Sequence, residues 1–201
     1  MTDESFDSEG LIEDFVEDSV QTDEEKGKNK NENEKNDSLD NLNLIKSISN
    51  ALTTILEENE KLKNYRDIIK KQRKMVFSAN SIPPISLEDY LIRIQTYSGI
   101  EKSTLILALI LIDHICKKKN LILTYYNIHR VLFGSILISI KYNEDIYYDN
   151  KFYAEIGGVK LKELKIIEYS FLELNDFNIF VNNQEFLQYR NYLEDSNQYP
   201  Q

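Results

Sequence analysis

The feature that most constrains the fold of this chain is an unbroken run of eight apolar residues, Leu105–Ile112, which ends at Asp113. A helix that spans a lipid bilayer needs about 20 predominantly apolar residues, so this run is too short to cross one. A helix that is apolar on every side must instead be enclosed by other parts of the protein. We therefore predict a central core helix that carries a carboxylate near its end.

Recognisable start and stop signals divide the sequence around this run into further helices. Ser86 with Asp89 three residues later is a variant of the capping box that begins helices. Gly99 and Gly157-Gly158 are typical helix terminators. No alternating strand pattern occurs, so we predict an all-α bundle. The predicted helices run from Ser86 to about Gly99, from Lys102 to Lys118, from Thr124 to Tyr142, from Asn150 to Gly157-Gly158 and from Leu161 to Leu174, with a closing segment from Gln184 to Leu193.

An extension at residues 38–80 precedes this bundle. Its apolar residues recur mostly three or four positions apart, which is the period of one helix face. They are Leu42, Ile45, Ile48, Leu52, Ile55 and Leu56, followed beyond an acidic break by Leu62, Tyr65, Ile68 and Ile69. We predict an amphipathic helix from Ser38 to about Lys74 that packs on the main domain or on a partner. The basic residues between Lys70 and Lys74 fit a helix C-terminus or a nuclear import patch.

Residues 1–37 are acidic and polar, and we expect a disordered tail because they offer little apolar surface to bury. Eleven Asp or Glu residues and no Lys or Arg occur between Met1 and Glu25, and the whole chain has a formal net charge of −10. Such a chain repels phosphate backbones, so we expect no nucleic-acid partner. A single cysteine, Cys116, and an acidic N-terminus without an apolar signal region predict an intracellular location, in the nucleus, the cytoplasm or both, with no membrane contact.

The residues that usually carry catalysis or bind metals are sparse. The chain has two histidines, His114 and His129, and one cysteine, and their spacing matches no familiar metal site. Gly157-Gly158 lacks the remaining glycines and the preceding strand of a phosphate-binding loop. We therefore expect no enzymatic activity, no cofactor, no metal and no small-molecule substrate.

Four charged residues interrupt the apolar patterns of the predicted helices: Arg93, Asp113, Lys141 and Glu168. A buried charge is costly without a partner, and we predict that Arg93 pairs with Asp113 and locks the first helix of the bundle to the second. Lys141 and Glu168 would form another pair if the third and fifth helices are neighbours. A surface pair stabilises a fold by only about 0–1 kcal/mol, but it can bond the backbone of a partner protein.

Six segments of this region match one protein family in order and spacing. They are Ile82–Ile94, Leu109–Asp113, Leu123–Arg130, Ser139–Asp145, Tyr153–Gly158 and Glu163–Leu172. Through them, residues 81–180 resemble the cyclin box, and in particular the single box of the P-type cyclins. The resemblance implies an all-α, five-helix bundle. Here it is preceded by the tail at residues 1–37 and the extension at 38–80, and followed by a C-terminal helix and tail at 181–201.

The resemblance also implies roles for individual residues. Arg93 and Asp113 correspond to a buried ion pair that braces cyclin folds, although His114 replaces the basic residue that follows this Asp in the family. Lys141 and Glu168 correspond to the pair that grips the regulatory helix of the partner kinase. The apolar residues implied to contact the same kinase helix are Ile138, Tyr142, Leu172, Phe177 and Ile179.

From this resemblance we expect a regulatory subunit that binds and activates a cyclin-dependent protein kinase, and so controls cell-cycle or nutrient-linked phosphorylation. The alternative is a cyclin-fold transcription or scaffold adaptor that activates no kinase. The negative net charge and the lack of a basic stripe within the box argue against an adaptor that binds nucleic acid.

Overall fold

A computed structural model describes residues 39–195 of the protein. The chain divides into two units, Met1–Asn41 and Leu42–Gln201, and the packing described below is that of the second unit. The predicted acidic tail at residues 1–37 lies outside the described residues. Within residues 39–195 the secondary structure is entirely helical, which confirms the predicted all-α class. The helices are α1 (39–60), α2 (Tyr65–Gln72), α3 (Leu87–Ser98), α4 (Lys102–Lys119), α5 (Ile128–Asn143), α6 (Asn150–Gly157), α7 (Leu161–Leu174) and α8 (Asn183–Asp195).

Helices α4 and α5 form the centre of the core. Residues 104–112 of α4 and 131–140 of α5 are all buried, as the long apolar run predicted. Small residues let the helices approach closely: the hydroxyl of Ser135 donates to the carbonyl of Ala108 at 2.6 Å. A Cβ atom on Gly134 would lie only 3.0 Å from Ile167 of α7. No helix between residues 39 and 195 has both the length and the apolar character needed to cross a bilayer.

The N-terminal extension contains two helices where the sequence predicted one. The predicted stripe is buried along α1 at Ile45, Ile48, Leu52 and Leu56, but the chain leaves helical geometry after residue 60 and α2 begins at Tyr65. The side-chain amide of Asn59 donates to the carbonyl of Leu123 at 3.0 Å, which anchors the end of α1 to the segment before α5. The apolar residues beyond this anchor therefore do not continue the buried face.

Most helix ends follow the predicted signals. The hydroxyl of Ser86 accepts a hydrogen bond from the backbone N–H of Asp89 at 3.0 Å and caps α3. Gly99 and Gly158 end α3 and α6 with φ angles of 63° and 68°, the left-handed region in which glycine has no steric penalty. Gly157 is needed for a different reason, because a Cβ atom there would lie 2.2 Å from the ring of Phe133.

The predicted start of the third bundle helix at Thr124 is wrong, since α5 begins at Ile128 with Asn127 as its N-cap residue. The side-chain oxygen of Asn127 accepts from the backbone N–H of Thr124 at 2.8 Å. This bond closes a turn between the two residues, so Thr124 starts the turn and not the helix.

Two hydrogen bonds hold the N-terminal extension in place, one to α5 and one to α8. Arg130 of α5 donates to the carbonyl of Val76 at 3.0 Å and also forms an ion pair with Glu163 of α7. The hydroxyl of Ser47 in α1 donates to the carbonyl of Leu193 in α8 at 3.0 Å, and Leu193 is fully buried. A single hydrophobic core therefore includes residues from α1 and from α3 to α8, whereas α2 contributes no buried residue.

Candidate functional site

The structure brings together Lys141, near the end of α5, and Glu168, in the middle of α7. The ammonium nitrogen Nζ of Lys141 lies 2.6 Å from Oε1 of Glu168, and the two side chains are 25% and 20% exposed. They are adjacent because α5 and α7 pack directly against each other. The pair is therefore well shielded from bulk water but remains accessible at the surface.

A third residue, Asn150, completes this arrangement and was missed by the sequence analysis. Its side-chain amide donates to Oε2 of Glu168 at 2.9 Å, so both carboxylate oxygens are engaged. Asn150 is the first residue of α6, and the preceding Asp149 caps that helix by accepting from the backbone N–H of Phe152 at 2.9 Å. The predicted helix start at Asn150 was the only sequence signal that could have drawn attention to it. We refer to Lys141, Glu168 and Asn150 as the Glu168 group.

A second carboxylate fixes the end of α5 from which Lys141 projects. Oε1 of Glu144 accepts from the backbone N–H of Glu101 at 3.0 Å and from the hydroxyl of Thr104 at 2.5 Å. Thr104 is fully buried at the start of α4. The end of α5 is thus held against the start of α4, and this contact restricts where Lys141 can point.

The five apolar residues implied by the resemblance differ in their exposure. Tyr142 and Phe177 are 52% and 59% exposed, whereas Ile138 is only 4% exposed and belongs to the core. Leu172 and Ile179 are partly buried against that core. A partner could contact the two aromatic rings directly, while Ile138 supports the surface from beneath.

Further exposed aromatic side chains lie beside these residues in the sequence. Tyr169 follows Glu168 on α7, is 58% exposed, and makes an edge contact with the ring of Phe177 at a centroid distance of 6.0 Å. Phe180 is also exposed. We call Tyr142, Tyr169, Phe177 and Phe180 the aromatic residues of the site. Exposed apolar rings that lie together commonly mark a surface on which another protein docks, and Tyr169 and Phe177 are in contact.

The predicted ion pair between Arg93 and Asp113 is not formed. Arg93 is exposed on α3, which packs on α6, and its guanidinium donates to the carbonyl of Glu155 at 3.1 Å. Asp113 lies 2.5 Å from Nζ of Lys117 and accepts a hydrogen bond from the hydroxyl of Tyr189 at 2.5 Å. The prediction was wrong because α8 packs on α4 and supplies the partner. We refer to Asp113, Lys117 and Tyr189 as the Asp113 group.

The histidines and the cysteine have structural surroundings. Nε2 of His114 lies 2.7 Å from Oε1 of Glu185, and Nε2 of His129 lies 3.0 Å from the carbonyl of Ile85. Burial lowers the pKa of His129 and, with a smaller contribution from Asp113, raises the pKa of the Cys116 thiol to about 12. In the part of the chain that the structure describes, no three His, Cys, Asp or Glu side chains are grouped so that they could hold a metal ion.

Comparison with known proteins identifies the family to which this fold belongs. The sequence profile of the Cyclin family matches residues 11–179, a range that begins well before Ser81. Cyclin-U4-1 of Arabidopsis thaliana is 32% identical over 152 residues, which cover 75% of this chain and 74% of that protein.

Two fungal proteins are similarly related. PHO85 cyclin-like protein psl1 of Schizosaccharomyces pombe is 34% identical over 121 residues, which cover 59% of this chain and 50% of that protein. PHO85 cyclin-7 of Saccharomyces cerevisiae is 29% identical over 169 residues, which cover 75% of this chain and 59% of that protein. The match thus spans between half and three quarters of the length of these relatives. With a family match over most of its length and an all-helical fold, the chain belongs to the cyclin family, and its relatives mark it as a P-type cyclin.

Proposed function

We propose that this protein is the regulatory subunit of a cyclin-dependent protein kinase, which it binds through the Glu168 group and the surrounding aromatic residues, and which it activates. Membership of the cyclin family supports this proposal, as do relatives that carry the name PHO85 cyclin. The observation that carries it is a shielded charge pair, Lys141–Glu168, beside exposed aromatic rings.

The Lys141–Glu168 pair keeps hydrogen-bonding capacity for a partner. A lysine ammonium has three donors, and Lys141 uses one of them on Glu168. Each carboxylate oxygen has two lone pairs, and those of Glu168 accept one bond each, from Lys141 and Asn150. Lys141 can therefore donate to backbone carbonyls of a docked helix, while Glu168 accepts from backbone amides. Two opposite charges at fixed positions would also define the orientation of that helix.

Activation would follow from the preference of this surface for one position of the kinase helix. To move a two-state equilibrium from 1:99 to 99:1, a ligand must favour one state by about 5.5 kcal/mol. Truncation to alanine of one of the few residues that dominate an interface typically weakens binding by about 2 kcal/mol or more. Only contacts that the kinase helix makes in its active position and not in its inactive one contribute to this difference, and we expect the aromatic residues of the site to make such contacts. The protein would thus select the active arrangement of its kinase, in which the catalytic Lys–Glu pair is formed, without taking part in the chemistry.

Affinity capture with charge-pair variants tests this proposal. The tagged protein, the double variant Lys141→Ala/Glu168→Ala and a matched control, Glu58→Ala/Lys61→Ala, would be used to capture kinases from a lysate for identification by mass spectrometry. The control removes another Lys–Glu pair, which is 2.7 Å apart and largely exposed. We expect the wild type and the control to capture the same cyclin-dependent kinase and the Lys141/Glu168 variant to lose it, with its circular dichroism unchanged. Undiminished capture by that variant would show that the interface lies elsewhere.

Activation is measured separately from binding. The identified kinase, purified alone, would be assayed on a peptide substrate with and without this protein. We expect phosphorylation to increase by at least about tenfold, the effect of about 1.4 kcal/mol in the equilibrium of the kinase. Binding without any increase would favour the alternative of a scaffold adaptor.

A further inference from the structure

The segment that follows α7 adopts a backbone conformation that is unusual for its residues. Asp176 and Phe177 are consecutive and both have a φ angle of 54°, in the left-handed region. A bulky side chain is rarely found there, because its Cβ atom crowds the backbone carbonyl. A strained backbone of this kind persists only where the surrounding structure enforces it, and such sites are frequently functional.

The enforcing contacts come from two directions. From α7, the backbone N–H groups of Asp176 and Phe177 donate to the carbonyls of Glu173 at 3.0 Å and Leu172 at 2.8 Å. From α4, Nζ of Lys119 lies 2.6 Å from Oδ1 of Asp176. Lys119 is the last residue of α4, so this ion pair connects the turn to the central helix of the core. The hydrogen bond from Lys119 also lowers the pKa of the Asp176 carboxyl.

The strained turn does not bury the side chain that it carries. The Phe177 ring remains more than half exposed and rests with its edge against Tyr169. Burial of an aromatic ring is normally a major contribution to stability, and here most of that contribution is missing. The turn is therefore better explained by the direction in which it presents the ring than by the stability of the free protein.

We infer that Lys119 is a positioning residue of the kinase-binding surface: its ion pair with Asp176 holds the left-handed turn that presents Phe177 to the kinase helix. This inference rests on the proposed function, because it takes the kinase to be the partner of Phe177. The ion pair fixes the ring before the partner arrives, so less conformational entropy is lost on binding. Lys119 itself does not need to touch the kinase.

The neighbouring lysine provides a matched control. Lys118→Ala removes the same charge from the same helix end, while Lys119→Ala also removes the ion pair, and Lys119→Arg keeps charge and donor. Dissociation of each variant from the immobilised kinase would be followed by surface plasmon resonance. The ion pair is partly exposed, with side chains that are 36% and 59% exposed, so we expect Lys119→Ala to dissociate about twofold to fivefold faster, the range that a surface pair can supply. Lys118→Ala and Lys119→Arg should dissociate at nearly the wild-type rate.

A double-mutant cycle separates the ion pair from other roles of Lys119. Asp176→Asn removes the negative charge but tolerates the left-handed region, in which asparagine is common. We expect it to reproduce the effect of Lys119→Ala, and the combined variant to be no worse than either single variant. Additive effects would mean that Lys119 contacts the kinase itself, which would overturn the inference.

Hydrogen exchange gives a readout that needs no kinase. In the free protein, the amide of Phe177 should exchange faster in Lys119→Ala than in the wild type or in Lys118→Ala, because the turn opens more often. An unaltered exchange rate, or an unaltered dissociation rate, would overturn the inference. If the wild type captures no kinase, the proposed function fails together with the role of Phe177. If the wild type binds and Lys119→Ala binds equally well, only this inference fails.

Discussion

The Asp113 group and the Glu168 group are built alike but have different surroundings. Asp113 and Glu168 have side chains that are 30% and 20% exposed, and each pairs with one lysine. Each also accepts a hydrogen bond from a polar side chain of another helix, Tyr189 or Asn150. The two carboxylates are therefore bound in similar ways, but their lysines differ. Lys117 is 71% exposed and lies on the same helix as Asp113, whereas Lys141 is 25% exposed and lies on a different helix from Glu168.

The two groups differ in what their helices contribute to the protein. The Asp113 group ties α8 to α4, and α8 places the fully buried Leu193 in the core. The Glu168 group lies on helices that carry the exposed rings of Tyr142 and Tyr169. A paired charge is thus no indicator of function by itself. The comparison teaches that an exposed ring nearby is not decisive either, since Tyr192 of α8 is 63% exposed. What sets the Glu168 group apart is a shielded lysine that comes from a different helix than its carboxylate.

The largest expected effect is a loss of kinase affinity when two exposed aromatic rings are removed. We expect Tyr142→Ala/Phe177→Ala to weaken binding by at least about 100-fold, or ~2.7 kcal/mol, because aromatic residues dominate interface energetics. Calorimetric titration with the purified kinase would measure the affinity. Thermal unfolding should change little, since both rings are exposed. Tyr97→Ala, at another exposed tyrosine on α3, is the control and should bind normally.

The second prediction concerns the stability role of the Asp113 group. Asp113→Asn should lower the free energy of unfolding by about 1–2 kcal/mol, because Tyr189 and Lys117 lose a charged acceptor. Burial, together with the bond to Asp113, raises the pKa of the Tyr189 hydroxyl. Urea unfolding measures the change in stability. In the double variant Asp113→Asn/Tyr189→Phe, the loss of stability should be smaller than the sum of the losses in the two single variants. A loss of kinase affinity in Asp113→Asn would erase the distinction between the two groups.

A smaller effect is expected from Asn150, which holds one oxygen of Glu168. Asn150→Ala should destabilise the protein by about 0.5–1 kcal/mol, the net value of one ordinary hydrogen bond. It should also weaken kinase binding by a few-fold, since Glu168 becomes less well oriented. Urea unfolding and titration on the same samples would measure both quantities. A loss of stability with no change in affinity would indicate that Asn150 serves the fold alone.

The smallest effect is a pH dependence that comes from His129. Burial lowers the pKa of this ring, and its Nδ1 is buried without a hydrogen-bond partner among the described residues. The unfolded chain therefore binds a proton first as the pH falls below the ordinary histidine value of about 6.5. Stability should be constant above that pH and decline below it, until the folded form is protonated as well. Melting temperatures of the wild type and of His129→Gln between pH 8 and pH 5 test this, with a flatter profile expected for the variant. Equal profiles would assign the pH dependence to other groups.

The sequence was a good guide wherever a structural feature is decided locally. The cap formed by Ser86 and Asp89 and the left-handed terminators Gly99 and Gly158 depend on residues within one turn of the helix end, and they were predicted correctly. The same holds for α7, which has the predicted bounds. The break between α1 and α2 depends instead on Asn59 reaching the carbonyl of Leu123, far along the chain. Periodicity alone could not reveal that contact.

The site was predictable only in part, for the same physical reason. The sequence shows Lys141 and Glu168 as charges within apolar helices, and their pairing followed from the packing of α5 on α7. The partner of Asp113 depended on where α8 packs, and the assignment to Arg93 failed. The left-handed turn at Asp176 and Phe177 has no sequence signal, because neither residue is glycine.

The burial of α1 has a practical consequence for anyone who shortens this protein. A fragment cut before Ser81, where the recognisable motifs start, would lose Ile45, Ile48, Leu52 and Phe77, all of which are at most 2% exposed. Phe77 makes an edge contact with the ring of Phe171 in α7, at 6.4 Å, so the cut would open the interior on the side of α7. Such a fragment should aggregate. The shortest piece suitable for crystallisation or for kinase reconstitution begins near Leu42, about forty residues upstream of the motifs that make the family recognisable.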